Sequence, residues 1–386
     1  MRGQYNFESD IKFLTGKGAL RNCAVTLTNM GCRRFMLICN EKSAKCGHLK
    51  SVMRRIGKEL NIVAQYKKVE SLATAEDCDK ALRLYKEKDC DSIIALGHKS
   101  AIYVAKAVKV MLKDGVSFMS NYLDCAVNNI SSNFIPLTVI PTYLSSGIEA
   151  SNTVKVWSED GRMIQLDTPF AQTNVLALDP CLCSPIGRKR IASTGLNALA
   201  MAITSLTSRK KVDPMTKVYA LDAITLITDN FEPCLLYSGI RKYRFNLALA
   251  TMLAGCAYWS SPNMLLTRLA DLICDISGAE YRDVFNILFA KVVDKIDFKW
   301  DFDTYALVNL IGYNQYVDVQ DGKKGGQIIK DCVNNYYAEL KKYVKYPLKL
   351  KDLGINDAML SEVYDKFTKD GDDETAYFAD KLLKDE

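Results

Sequence analysis

The sequence predicts an α/β domain with a parallel sheet over residues 1–183, followed by an all-α domain over residues 184–386. Three observations carry that expectation. Short apolar runs alternate with helical patterns through the first part of the chain. After about residue 185, β-branched runs become rare and helical periodicity takes over. Asp179-Pro180 and Pro185 punctuate the change.

The strands come first. Residues 33–40, 91–97 and 135–142 are apolar runs that end in polar or turn residues, the pattern of strands buried on both faces. Ala75–Lys88 and Ala101–Leu112 read as helices between them. The second half carries helical period over 187–208, 212–230, 242–258, 264–275, 280–295 and 326–345.

Composition narrows the function classes. Apolar residues make up 48% and charged residues 25%, as in ordinary globular domains. The net charge of +6 is scattered. The short basic clusters Arg188-Lys-Arg and Arg209-Lys-Lys read as solvated faces, and no nucleic-acid motif accompanies them. The most apolar stretch, Phe245–Leu266, is broken by Asn246 and Ser260-Ser261, so it reads as a core helix and not a membrane span. The N-terminus lacks the apolar core of a signal peptide, and cytoplasmic residence is the expectation. The 13 cysteines show no metal-site spacing and read as reduced, buried side chains. There are only two histidines, His48 and His98. A mechanism that needs three histidines from one chain is excluded by that count.

One segment carries phosphate chemistry. The run Ser92–Leu96 leads through Gly97-His98-Lys99-Ser100 into a helix expected from Ala101. A strand that turns through glycine into a helix N-terminus aims backbone N–H groups and the helix dipole at an anion. Ser100 reads as an N-cap or phosphate donor, and Lys99 adds positive charge.

Gly97-His-Lys-Ser100-Ala-Ile-Tyr103-Val-Ala-Lys106 resembles the G-G-G-S-x-x-D-x-x-K pattern of the iron-containing alcohol dehydrogenase family. Further segments resemble the family in the same order. They are Ile11–Leu20 (an N-terminal strand pair), Ile140-Pro-Thr142 with Gly147-Ile-Glu149, Leu178-Asp-Pro180, Thr194–Ile203, Ala254–Tyr258 and Pro347–Ile355. The resemblance implies a Rossmann-like domain and a helical domain. It implies NAD or NADP, with Asn40, Gly97, His98, Lys99, Ser100, Thr142 and Arg162 as cofactor-binding positions. A neutral Asn40 at the ribose position, with Lys42 near, tolerates a 2′-phosphate.

The family's metal ligands, an Asp and three His, fall on Asn197, Met201, Thr267 and Tyr281, and a nearby family His falls on Asp271. None of these is a histidine, so no iron or zinc is expected. Lys106, Asn197 and Tyr281 are the candidate catalytic residues, with Tyr258 and Arg268 as further candidates by alignment. Tyr103 replaces a family Asp. Two readings stay open. One is a metal-independent NAD(P)-dependent oxidoreductase for a small alcohol, aldehyde or keto substrate. The other is an inactive relative that binds a ligand or partner through the old cleft. No nucleic-acid or membrane partner is expected, and a homodimer is left open.

Overall fold

The computed structural model describes residues 11–123, 135–206, 212–261, 265–295, 307–310, 322–369 and 373–383. The Arg209 cluster and residues 207–208 and 264 of the expected helices lie outside these. The chain forms two compact units, Glu8–Pro185 and Ile186–Glu386.

The first unit is built on a six-stranded parallel sheet. Its strands are β1 (Lys12–Thr15), β2 (Phe35–Asn40), β3 (Ile62–Val69), β4 (Ser92–Gly97), β5 (Leu137–Pro141) and β8 (Val175–Leu178), in the order β1-β8-β5-β4-β2-β3. An antiparallel hairpin, β6 (Thr153–Trp157) with β7 (Met163–Asp167), stands outside it. Every residue of β2, β4, β5 and β8 is buried, as their unbroken apolar runs require.

Alternation sorts the side chains. Phe35, Leu37, Cys39, Ile94, Leu96 and Ile140 pack on one face with α1 (Ala19–Asn29) and α3 (His48–Ile56). The helices α4 (Ala75–Glu87) and α5 (Lys99–Asp114) pack on each other and on β3 and β4. A five-residue helix, α2 (Glu41–Lys45), follows β2 directly.

The expected N-terminal strand pair is not formed. β1 pairs in parallel with β8, and the chain turns at Gly16 and Gly18 straight into α1. A glycine pair with φ near +95° makes a strand-to-helix turn and not a hairpin.

The second unit is helical: α6 (Arg188–Leu206), α7 (Pro214–Leu236), α8 (Arg241–Trp259), α9 (Leu265–Ser277), α10 (Tyr281–Lys295), α11 (Gly322–Tyr343), α12 (Asp357–Thr368) and α13 (Asp373–Leu383). All of Ile191–Leu206 is buried, so α6 is the central helix of this unit. It packs on α7, α8 and α10. Its small residues permit close approach. A Cβ on Gly195 would lie 2.3 Å from the Phe231 ring of α7. α7 runs on through Pro233, past the expected end at residue 230. Among the described residues, no helix is long and apolar enough to cross a membrane, and no two cysteines form a disulfide.

Candidate functional site

The sheet order places a topological switch between β2 and β4. From β2 the chain steps outward to β3, then crosses back to β4 on the other side of β2. Open parallel sheets bind ligands at the carboxyl ends of the strands flanking such a switch. Here those ends are Asn40 and Gly97.

Gly97 has φ +140°, and a Cβ on it would lie 2.0 Å from Asn40 Oδ1. Its glycine is therefore required twice, by backbone angle and by the side chain packed against it. Asn40 is 2% exposed. Its Oδ1 accepts from the His98 backbone N–H at 2.9 Å, and its Nδ2 donates to Ser100 Oγ (2.7 Å) and to the Glu70 carbonyl (3.1 Å). Ser100 Oγ in turn donates to the Glu70 carbonyl at 2.6 Å. Three chain segments, leaving β2, β3 and β4, are thus tied by one amide.

Two sequence expectations change accordingly. Asn40 spends both amide protons and its acceptor inside the protein, so it clamps the turn and does not present a free group to a ribose. Ser100 is not the N-cap. α5 begins at Lys99 with His98 as its cap residue, and the Ser100 proton goes to a carbonyl.

The loop leaving β5 borders the same turn. The Thr142 backbone N–H donates to the Gly97 carbonyl at 3.1 Å, and its hydroxyl lies 3.4 Å from Ser43 Oγ. Tyr143 adopts φ +62°, a left-handed conformation uncommon for a side chain of its size. Both histidines of the chain pack edge-on to its ring, His48 at 4.7 Å and His98 at 6.0 Å, with the Lys42 ammonium 5.8 Å from the centroid. Burial pushes the His48 imidazole below its usual pKa, and its Nε2 hydrogen-bonds Ser184 Oγ at 2.7 Å. Asn40, Gly97, His98, Ser100 and Thr142 are therefore together at one end of the sheet, at the start of the helix that carries Lys99. Arg162 is not with them. It lies exposed in the β6–β7 turn, paired to Asp160 at 2.6 Å. Glu70, Ser43, His48 and Tyr143 were not anticipated. Only Tyr143, next to Pro141-Thr142, had a visible cue.

Lys106 also changes role. It is wholly buried on α5, and its ammonium donates to the carbonyls of Ile148 (2.8 Å) and Ser151 (2.5 Å) and to Ser151 Oγ (3.1 Å). A side chain with three buried partners and no exposure cannot meet a substrate.

In the helical unit, Asn197 and Met201 sit one turn apart on α6, 5% and 4% exposed. The Asn197 Nδ2 is buried and has no hydrogen-bond partner. Thr267 and Asp271 are buried on α9, and the Thr267 hydroxyl bonds the hydroxyl of Tyr258, a fully buried residue of α8. Burial holds Tyr258 protonated by raising its pKa. Tyr281 is half-buried, its ring stacked on Phe285. Arg268 is covered by the Phe367 ring at 5.6 Å.

These donors do not fit a hard divalent cation. An amide, a thioether, a bonded hydroxyl and a protonated phenol leave Asp271 as the one anionic group among these positions, and a single carboxylate without imidazole ligands is too few. Residues 186–386 contain no histidine. Among the described residues, no three His, Cys, Asp or Glu side chains cluster to hold a metal.

The parallel sheet, its glycine turn at the switch point and the helical unit define an α/β protein with a Rossmann-like first unit. The sequence model of the iron-containing alcohol dehydrogenases matches residues 11–180, and over that span the chain is similar to the family. Choline dehydrogenase of Bacillus subtilis (strain 168) is 27% identical over 263 residues, which is 67% of this chain and 65% of that one. NAD-dependent methanol dehydrogenase of Bacillus methanolicus is 22% identical over 246 residues, 63% of each chain. Both matches span less than two thirds of the relatives' own length. The crystal structure of a 1,3-propanediol oxidoreductase superposes with TM-score 0.83 at 16% identity, over 96% of each chain, and shows the shared fold.

Proposed function

We propose that this chain is a metal-independent oxidoreductase that takes NAD or NADP at the β2/β4 switch and a small alcohol, aldehyde or keto compound as substrate. The observation that carries the reading is the Gly97 turn. It is intact in backbone, sits at the switch point and opens a 16-residue helix. A bound dinucleotide would supply the hydride acceptor or donor.

The protein's part is to hold its phosphates and to stabilise charge on the substrate oxygen. Lys99 and His98, standing where the family has glycines, offer an ammonium and an imidazole in exchange for close backbone approach. Lys42 beside Tyr143, with a neutral Asn40, suits a 2′-phosphate, so NADP is at least as well accommodated as NAD. Asn197 is the catalytic candidate best supported. Its buried, unpartnered N–H suits an oxygen that gains negative charge, the task a metal has elsewhere in the family. Tyr281 is a second candidate donor, and Arg162 a peripheral one for the cofactor.

Fluorescence titration with NADH and NADPH tests the reading, paired with elemental analysis and an assay after dialysis against a chelator. Saturable binding, no stoichiometric metal and undiminished turnover are expected. A chain that binds neither dinucleotide at millimolar concentration would instead be the inactive relative. Stoichiometric iron or zinc would end the metal-independent reading.

A further inference from the structure

Lys106 is a fully buried ammonium, and the proposed function gives it no task. An ammonium moved out of water must be paired or it loses its proton. Burial drags this one down from 10.5 to about 7, with Lys109 one turn along the helix adding to the fall. The buried Glu149 carboxylate partly offsets it. An apolar side chain of similar length would avoid that cost, and buried charges are seldom the most stabilising choice. What the ammonium provides is geometry.

Its three acceptors all belong to the turn 148–151. That turn ends the loop that leaves β5. The same loop begins at Thr142, whose N–H bonds the Gly97 carbonyl, and continues through Tyr143, against His98. Between the two ends, the Ser146 N–H and hydroxyl donate to Glu149 at 3.1 Å, closing the loop on itself. Ser151 Oγ donates to the Ile148 carbonyl and accepts from the Thr153 N–H, which passes the tie on to β6. The Ile148 carbonyl keeps the Ser151 N–H and hydroxyl as partners without the lysine. The Ser151 carbonyl depends on it.

The geometry points to Lys106 as a positioning residue of the dinucleotide site. Its charged head ties the helix opened by the glycine turn to the far end of the 142–151 loop. The course of that loop past Gly97 and His98 therefore depends on the lysine carrying its proton. The inference rests on the dinucleotide reading. A neutral amine has two N–H donors for three acceptors, so deprotonation releases part of the tie. The charged groups that bear on the ammonium are Glu149 from the loop and Lys109 from its own helix.

The test compares the full-length wild type with Lys106→Met by NADH and NADPH titration across pH 6 to 9, alongside thermal melts. The variant is expected to melt cooperatively and to bind roughly tenfold more weakly below pH about 7. The gap should close above that pH as the wild-type lysine loses its proton. His98, Lys99 and Lys42 are common to both proteins, so the ratio of affinities isolates Lys106. A lysine that served stability alone would change the melt and leave that ratio at one at every pH, which would overturn the proposal. Hydrogen exchange on the wild type gives a second measurement, independent of how the variant folds. Protection of the 142–151 amides, relative to β4, should fall over the same pH range, and unchanged protection would count against the proposal. A wild type that binds neither dinucleotide overturns the underlying reading, and this inference with it.

Discussion

Two buried asparagines set the two halves of the molecule apart. Asn40, in the α/β unit, has every polar atom engaged: one acceptor and two donors, each with a protein partner. Asn197, in the helical unit, keeps an amide nitrogen buried with no partner. Their exposures are nearly alike, 2% and 5%, so burial does not separate them. Satisfaction does. A saturated amide holds the protein's own chain in place, whereas an orphaned one costs folding free energy that a bound molecule, water or ligand, can return. The contrast gives the first a structural role and supports the proposal of a chemical one for the second.

The largest effect that would break this contrast lies beside Asn40. Gly97→Ala places a methyl group on Asn40 Oδ1 and forces an L side chain into φ +140°. Strain and the displaced amide together should lower stability by on the order of 3 kcal/mol. Dinucleotide binding should be lost with it. Urea melts and a titration check both. An unchanged melt would mean that the Asn40 network yields easily and is no clamp.

Asn197→Ala should do the reverse. Removing an unpaired buried amide should leave the melt unchanged or raise it, while kcat/KM falls about a hundredfold, as when one donor to a developing oxyanion is lost. Steady-state kinetics beside a thermal melt decide it. A destabilised but active variant would show that the orphaned nitrogen serves packing.

Asn40→Asp sharpens the comparison with a smaller change. The carboxylate still accepts from the His98 N–H, but an acceptor replaces the donor that faced the Glu70 carbonyl. Ser100 can turn its proton toward the new oxygen, so the loss falls on Glu70 alone. Roughly 2 kcal/mol of stability should go. NADPH affinity should fall more than NADH affinity, because the new charge repels a 2′-phosphate. Equal losses for the two cofactors would remove Asn40 from the discrimination.

Much of the fold was legible because its signals are local. The apolar runs of β2, β4 and β5 and the helical period of α6 to α11 depend on neighbours in sequence. β3 was missed because its outer half, Gln65 to Lys68, is largely polar, as suits an edge strand. α7 was cut short because Pro233 reads as a breaker, yet it lies in the last turn, where the helix is about to end. At the site, the glycine turn was legible as a motif. The roles of Asn40, Ser100 and Lys106 were not, because each is decided by partners 30 to 60 positions away, such as Glu70 for Asn40 and Ile148 for Lys106. Residue type alone suggested ribose, phosphate and substrate. Burial and pairing turned all three inward.

Lys106 offers the smallest effect and the most discriminating one. Its folded pKa, about 7, lies below its ordinary 10.5. Between those values the unfolded chain holds a proton that the folded chain has released, so unfolding takes up protons and becomes harder as pH rises. This lysine's contribution to stability should therefore grow from about pH 7 to about pH 10.5, by at most about 1.4 kcal/mol per pH unit. Lys109, lowered to about 8 by burial and by Lys113, adds in the same direction. Lys106→Met abolishes the first part of that slope and leaves the second. Global stability and local order should thus move oppositely. Raising pH relieves the cost of the buried charge while it loosens the 142–151 loop. Melts of wild type and variant at matched pH measure the slope. A wild-type slope equal to the variant's would mean the ammonium stays protonated in the fold, and the loop would then hold its course at every pH where the protein is folded.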